Sequence, residues 1–271
     1  MLESGDRLVL PHGVALRDGL LADEVRGEGW PLNAAGELVL ARVGASLAEI
    51  VDEVAATFAL PVARARADVL AFVWQLNRLS LANLDHPGGR LRRLLAWLRL
   101  AARLLPAGAI PHSTARRHPV DTTSARRSVL TVFAAVWRRA AAIAFLGVLA
   151  VAHVEAFAGS VEPSAALAIG AACGGGLAFH EAAHAVALRG VPTALVVRGR
   201  RTYLLHAALA SRRRALVALA GPLAVAAAGV LAAAVAAALG SASVAIAAGP
   251  LCAHAVALTV LASDGRAACG L

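Results

Sequence analysis

The chain contains no lysine: all 26 of its basic residues are arginine, in a sequence rich in alanine. We read that uniformity as a bias toward GC-rich codons rather than as chemistry. Cysteine is scarce too. Cys173, Cys252 and Cys269 are odd in number and lack C-x-x-C spacing, which excludes a disulfide framework and a zinc knuckle. The start, "MLESGDRLVLPHG", has no basic region followed by an apolar run, so no cleaved signal peptide is expected. Charge itself is thin, at 16% of residues against 59% apolar, which argues against an ordinary soluble domain and points to a membrane protein.

The charges that are present divide the chain. Residues 1–85 carry a net −5, residues 86–139 a net +10 and residues 140–271 a net +4. An acidic head is thus followed by a basic collar and an apolar body. The collar suits an anionic cytoplasmic leaflet, so a lipid bilayer is an expected partner and nucleic acid is not.

Residues 1–87 read as a small α+β, winged-helix-like domain. A hairpin is expected around His12-Gly13 and Asp18-Gly19, and a short helix within "PLNAAGELVLARVG". Ser46 and Glu49 are spaced as a capping box for the next helix, in which Leu47, Ile50, Val51, Val54 and Phe58 recur at helical spacing. Pro61 opens a third helix with an apolar stripe of Val62, Val69, Phe72, Val73 and Leu76. "LSLANL" is expected as a closing strand, and "DHPGG" ends the unit.

Residues 88–139 form the second segment. Within it, 90–105 reads as an amphipathic surface helix and 106–128 as a linker. Residues 140–271 read as an α-helical polytopic domain. Its four apolar segments, 140–158, about 165–188, 215–239 and 243–263, each approach the ~20 residues that cross a bilayer. The loops "GSVEP" and "GSA" carry no arginine, whereas the 189–214 loop carries seven. The positive-inside rule then predicts a multi-pass cell-membrane protein with a cytoplasmic N-terminal domain.

Inside the second apolar segment, "GGGLAFHEAAHAVALRG" brings His180, Glu181 and His184 together. Positions 180 and 184 differ by about 40° around a helix, so two imidazoles can reach one metal ion. Glu181 beside them is placed to take a proton from a metal-bound water. This is the His-Glu-x-x-His arrangement of zinc peptidases. The bland alternative is polar residues at a helix end reaching the interface. Ionisable groups inside a membrane span are costly and mark function, which favours the metal reading.

A catalytic zinc site takes a third protein ligand. Asp264 is the sole acid in residues 182–271 and ends the fourth apolar segment, which makes it the candidate. His254 is the runner-up, about 15 Å farther along that helix. Asp264 also reads as a plain helix-ending Asp-Gly turn.

"FHEAAH", "ALAGPLA" and "SDG" resemble the site-2 protease family of intramembrane zinc metalloproteases. The resemblance covers about 140–271. It implies His180, His184 and Asp264 as zinc ligands, Glu181 as catalytic base, and Gly221 and Pro222 as the family's Gly-Pro element at the substrate. The family's Asn-x-x-Pro lead-in to Asp-Gly is absent, and no PDZ-like insertion is evident. "GVPTALVVRGRRTYLLHA" has two β-prone runs. It reads either as a membrane-dipping hairpin, where an unwound substrate adds a strand at Val196 and Val197, or as a plain cytoplasmic hairpin.

"PLNAAGELVLARVGASLAEIVDEVAATFALPVARARADVLAFVWQLNRLSLANL", about 31–84, resembles PqqD-like domains, which bind leader peptides of ribosomally made, modified peptides. The resemblance implies a groove between the segment near 7–25 and the helix 62–77. Together the two likenesses imply a protease that removes the leader of a precursor peptide. Two other readings stay open: regulated intramembrane cleavage of an anti-sigma factor or other single-span protein, and a non-catalytic scaffold for peptide maturation or export.

Overall fold

The computed structural model describes residues 5–86, 114–158, 163–199, 201–253 and 256. The described chain forms two compact units. The first takes in residues up to 119 together with 192–207; the second takes in 120–191 and residues from 208 on.

The first unit opens with β1 (Arg7–Val9), β2 (Val14–Arg17), β3 (Leu20–Asp23) and β4 (Glu28–Pro31). Arg17 pairs with Leu20, so β2 and β3 are joined by a two-residue turn. Asp18 and Gly19 supply it with φ of 48° and 75°, the left-handed pair that such hairpins require. β4 then pairs with β3, a third strand beyond the expected hairpin.

Helices α1 (Ala34–Ala41), α2 (Leu47–Thr57) and α3 (Val62–Arg78) follow, then β5 (Asn83–Asp85), which closes antiparallel on β1. The capping box at Ser46 forms in both directions with Glu49. Leu47, Ile50, Val51 and Val54 of α2 meet Val69, Val73 and Leu76 of α3 in one buried core with Leu8, Leu21 and Leu84. Phe58 and Val62 belong to the expected stripes yet are exposed, because they sit at the α2–α3 turn where the helices part.

This unit does not stop at residue 87. β6 (Ala115–Val120) lies within what reads as linker, and β7 (Thr193–Arg198) and β8 (Arg201–His206) form the hairpin between the second and third apolar segments. The three make one sheet in the order β6-β7-β8. Side chains account for its place. Asn77 of α3 bonds both the N–H and the carbonyl of Ala115 at 2.8 Å. Asn83 does the same for Arg117, at 2.7 and 2.9 Å. Arg117 then forms a bidentate pair with Asp23, at 2.7 and 2.8 Å, with both side chains buried. Arg198 donates to the last carbonyls of α3, those of Asn77 and Arg78, where the helix dipole favours a cation.

The second unit is helical: α4 (Ala125–Ala158), α5 (Pro163–Ala187), α6 (Ser211–Leu239) and α7 (Ala242–Ala253). Ala125–Val154, Pro163–Ala187 and Ser211–Leu239 are long and apolar enough to cross a membrane. The first begins fifteen residues before the expected 140, since Ser124 starts the helix by accepting from Arg127 N–H. α7 is apolar but has 12 described residues, and the rest of the expected fourth span lies outside the described residues. So does the amphipathic segment 90–105.

Glycines set how α5 meets α4. A Cβ on Gly174 would lie 2.3 Å from the carbonyl oxygen of Ala140, and one on Gly170 would lie 2.5 Å from that of Ala144. Four residues apart, they let the helix backbones touch, as small residues do in membrane bundles.

Candidate functional site

His180 and His184 stand one turn apart on α5, and their Nε2 atoms are 3.1 Å apart. The rings meet edge to face with centroids at 4.7 Å. His184 and Glu181 are both buried.

The orientation of His184 comes from α6. Its Nδ1 lies 2.6 Å from the carbonyl oxygen of Val217. A carbonyl only accepts, so Nδ1 carries the proton, and in the neutral ring Nε2 keeps its lone pair. Room for the ring comes from Gly221. A Cβ there would lie 2.4 Å from His184 Nε2 and 2.8 Å from two ring carbons. Pro222 follows inside α6, and its missing N–H removes the helical bond to the carbonyl of Ala218, the residue after Val217. Two convergent nitrogens with a buried carboxylate alongside can hold a cation and move a proton.

The structure therefore brings together His180, His184 and Gly221, with the buried Glu181 next to His180 in the chain and Pro222 next to Gly221. Among the described residues, no third His, Cys, Asp or Glu joins the pair in a metal-holding group. Asp264 and the runner-up His254 lie outside the described residues. Val196 and Val197 lie on β7, in the first unit. β7 is the central strand, so β6 and β8 occupy both of its edges. The outer strands of this sheet are β6 and β8.

Three contributors were not legible beforehand. The Val217 carbonyl carries no sequence signal. Gly221 stood out as half of a Gly-Pro pair, but its contact with His184 needs coordinates. Arg139 was read as one of the collar arginines, and it is buried.

In the first unit, the segment expected to form a groove holds β2 and β3, and α3 carries a depression of about 540 Å³ lined by Ala71, Trp74, Gln75 and Arg78. Residues 19–82 match the family model described as coenzyme PQQ synthesis protein D (PqqD). Residues 19–82 form a PqqD-like domain. The match starts at the β2–β3 turn, earlier than the resemblance from residue 31, and so includes β3 and β4. That match does not extend into the helical unit, and so does not bear on its likeness to site-2 proteases. Comparison with curated proteins and with solved structures finds no match.

Proposed function

We propose that the chain is a membrane-embedded zinc metalloprotease that hydrolyses one peptide bond in a ribosomally made precursor peptide, removing its leader. The PqqD-like domain supports a peptide partner, because its sheet, in the order β2-β3-β4, has outer strands to which an extended leader adds. Holding the leader on the same chain raises the concentration of the scissile segment near the helical unit.

The observation that carries the protease reading is the His180–His184 pair with its Val217 anchor. Two nitrogens that share a tetrahedral zinc at about 2.0–2.1 Å stand about 3.3 Å apart, close to the 3.1 Å seen here. A ring nitrogen fixed through a carbonyl on its other side is the usual support for a metal ligand. His180 and His184 would hold the zinc with Asp264 as third ligand, and the ion supplies Lewis-acid chemistry at the peptide carbonyl. Glu181 takes a proton from the attacking water and passes it to the leaving amine. The net reaction adds one water across one peptide bond and gives a carboxylate and an amine. Gly221 keeps the His184 ring in place.

The test uses the full chain in detergent with a candidate precursor peptide that binds the PqqD-like domain. Glu181→Gln should abolish cleavage and retain one zinc per chain, whereas His184→Ala should lose both. Cleavage that survives Glu181→Gln would sink the proposal and favour a scaffold role.

A further inference from the structure

Arg138 and Arg139 are adjacent in α4, yet their environments are opposite. Arg138 is exposed, and its guanidinium lies 5.5 Å from the centre of the exposed Trp137 ring. Arg139 is 4% exposed, on the same buried face as Val132 and Val136. A guanidinium inside a membrane helix bundle is costly and persists only when another group compensates its charge. The acid whose charge acts favourably on it is Glu181 of α5, itself 6% exposed and buried in the same helical unit. Gly170 and Gly174 bring the α5 backbone onto Ala144 and Ala140 of α4, so the helices that carry Arg139 and Glu181 are in close contact. Glu181 thus follows His180 in the chain and feels the charge of a buried cation on the neighbouring helix.

We propose that Arg139 is a positioning residue that holds the Glu181 carboxylate in its working orientation beside His180 and His184. This rests on the protease reading for the role of Glu181, but the pairing itself does not. Removing the Arg139 charge weakens that hold on the carboxylate, and proton transfer is sensitive to misplacement of the group that carries the proton.

Two measurements on the full chain in detergent test it. The first is a thermal-unfolding cycle on metal-free protein with Arg139→Gln, Glu181→Gln and the double variant. Coupling is expected, with the double variant losing less Tm than the two single losses combined. The second is cleavage of the precursor peptide. Arg139→Gln should lower kcat at least tenfold with KM and zinc stoichiometry unchanged, and Arg139→Lys should recover part of that loss. Additive Tm losses would overturn the pairing. A normal kcat in Arg139→Gln, or no recovery with lysine, would overturn the positioning role. Coupling in a wild-type chain that cleaves nothing would sink the protease reading, and with it the positioning role, while the pair itself stands.

Discussion

His184 is fixed by a residue 33 positions away: its Nδ1 lies 2.6 Å from the carbonyl oxygen of Val217. The bond joins α5 to α6 and selects the tautomer that leaves Nε2 bare toward His180. Motif spacing brings the two histidines to one helix face, but only the neighbouring helix decides which nitrogen each presents.

The first prediction concerns the glycine that makes room for that ring. Gly221→Ala puts a methyl 2.4 Å from His184 Nε2, so the imidazole must move. On the proposed reading, zinc affinity should fall about 10–100-fold, the usual effect of disturbing the support of a ligand. Competition with a chromogenic chelator measures it. Gly175→Ala is the control, since a Cβ there meets nothing within 4 Å. Equal affinity in both variants would show that the ring does not need the space.

A second prediction concerns the buried pair in the first unit. Burial alone would push the Asp23 carboxyl up. The hydrogen bonds and charge of Arg117, with the amides of Arg26 and Val25, outweigh it and hold the group below its ordinary 3.8. Its contribution to stability is therefore complete above that value and lost as pH falls through the lowered folded value. Arg117→Met removes the bidentate partner, leaving the buried carboxylate with Arg26 at 3.5 Å and the two amides, and should cost about 3 kcal/mol at pH 7. The gap between wild type and variant should narrow at pH 3, where the carboxyl of the variant is protonated. Thermal unfolding of the full chain at both pH values checks this; an unchanged gap would rule out the charge as the cause.

His118 on β6 gives a third, milder signature. Burial, and then the charge of Arg116, pushes its imidazole below the ordinary 6.5. The unfolded chain takes up that proton first, so the stabilising contribution is complete above about pH 6.5 and declines as pH falls from there toward the folded value. His118→Gln should flatten unfolding midpoints across that window and leave the acid limb of Asp23 in place.

Local signals carried most of the first unit. Asp18-Gly19 made a hairpin and Ser46 with Glu49 made a cap, because each acts within four residues. The helical stripes found the core except where Phe58 and Val62 sit at a turn. β4 was missed because "EGWP" is short and ends in proline. β6 was missed for a similar reason: "ARRHPV" is charged and reads as linker, and it is a strand because Asn77, Asn83 and Asp23 satisfy its polar groups. In the second unit the His-Glu-x-x-His spacing was legible. The partners of these residues on α4 and α6 were not, because Val217, Gly221 and Arg139 act through helix packing that no local pattern encodes.

The final prediction follows from Asn77, the joint between α3 and β6. Its side chain is buried and makes three bonds: to the carbonyl of Ala82 at 2.9 Å, and to the N–H and carbonyl of Ala115 at 2.8 Å each. Asn77→Ala leaves those backbone groups unmet inside the protein, and each such loss costs about 1–3 kcal/mol. The chain relieves the cost by releasing β6 to water, which leaves the α2–α3 core in place because that core is apolar and independent of Asn77. Hydrogen exchange should therefore quicken across residues 115–120 and then in β7, which borders β6 in the sheet, while the amides of α2 keep their protection. Uniform loss of protection, with α2 opening as fast as β6, would mean that the strand is integral to the folding of the PqqD-like core rather than an addition docked on it.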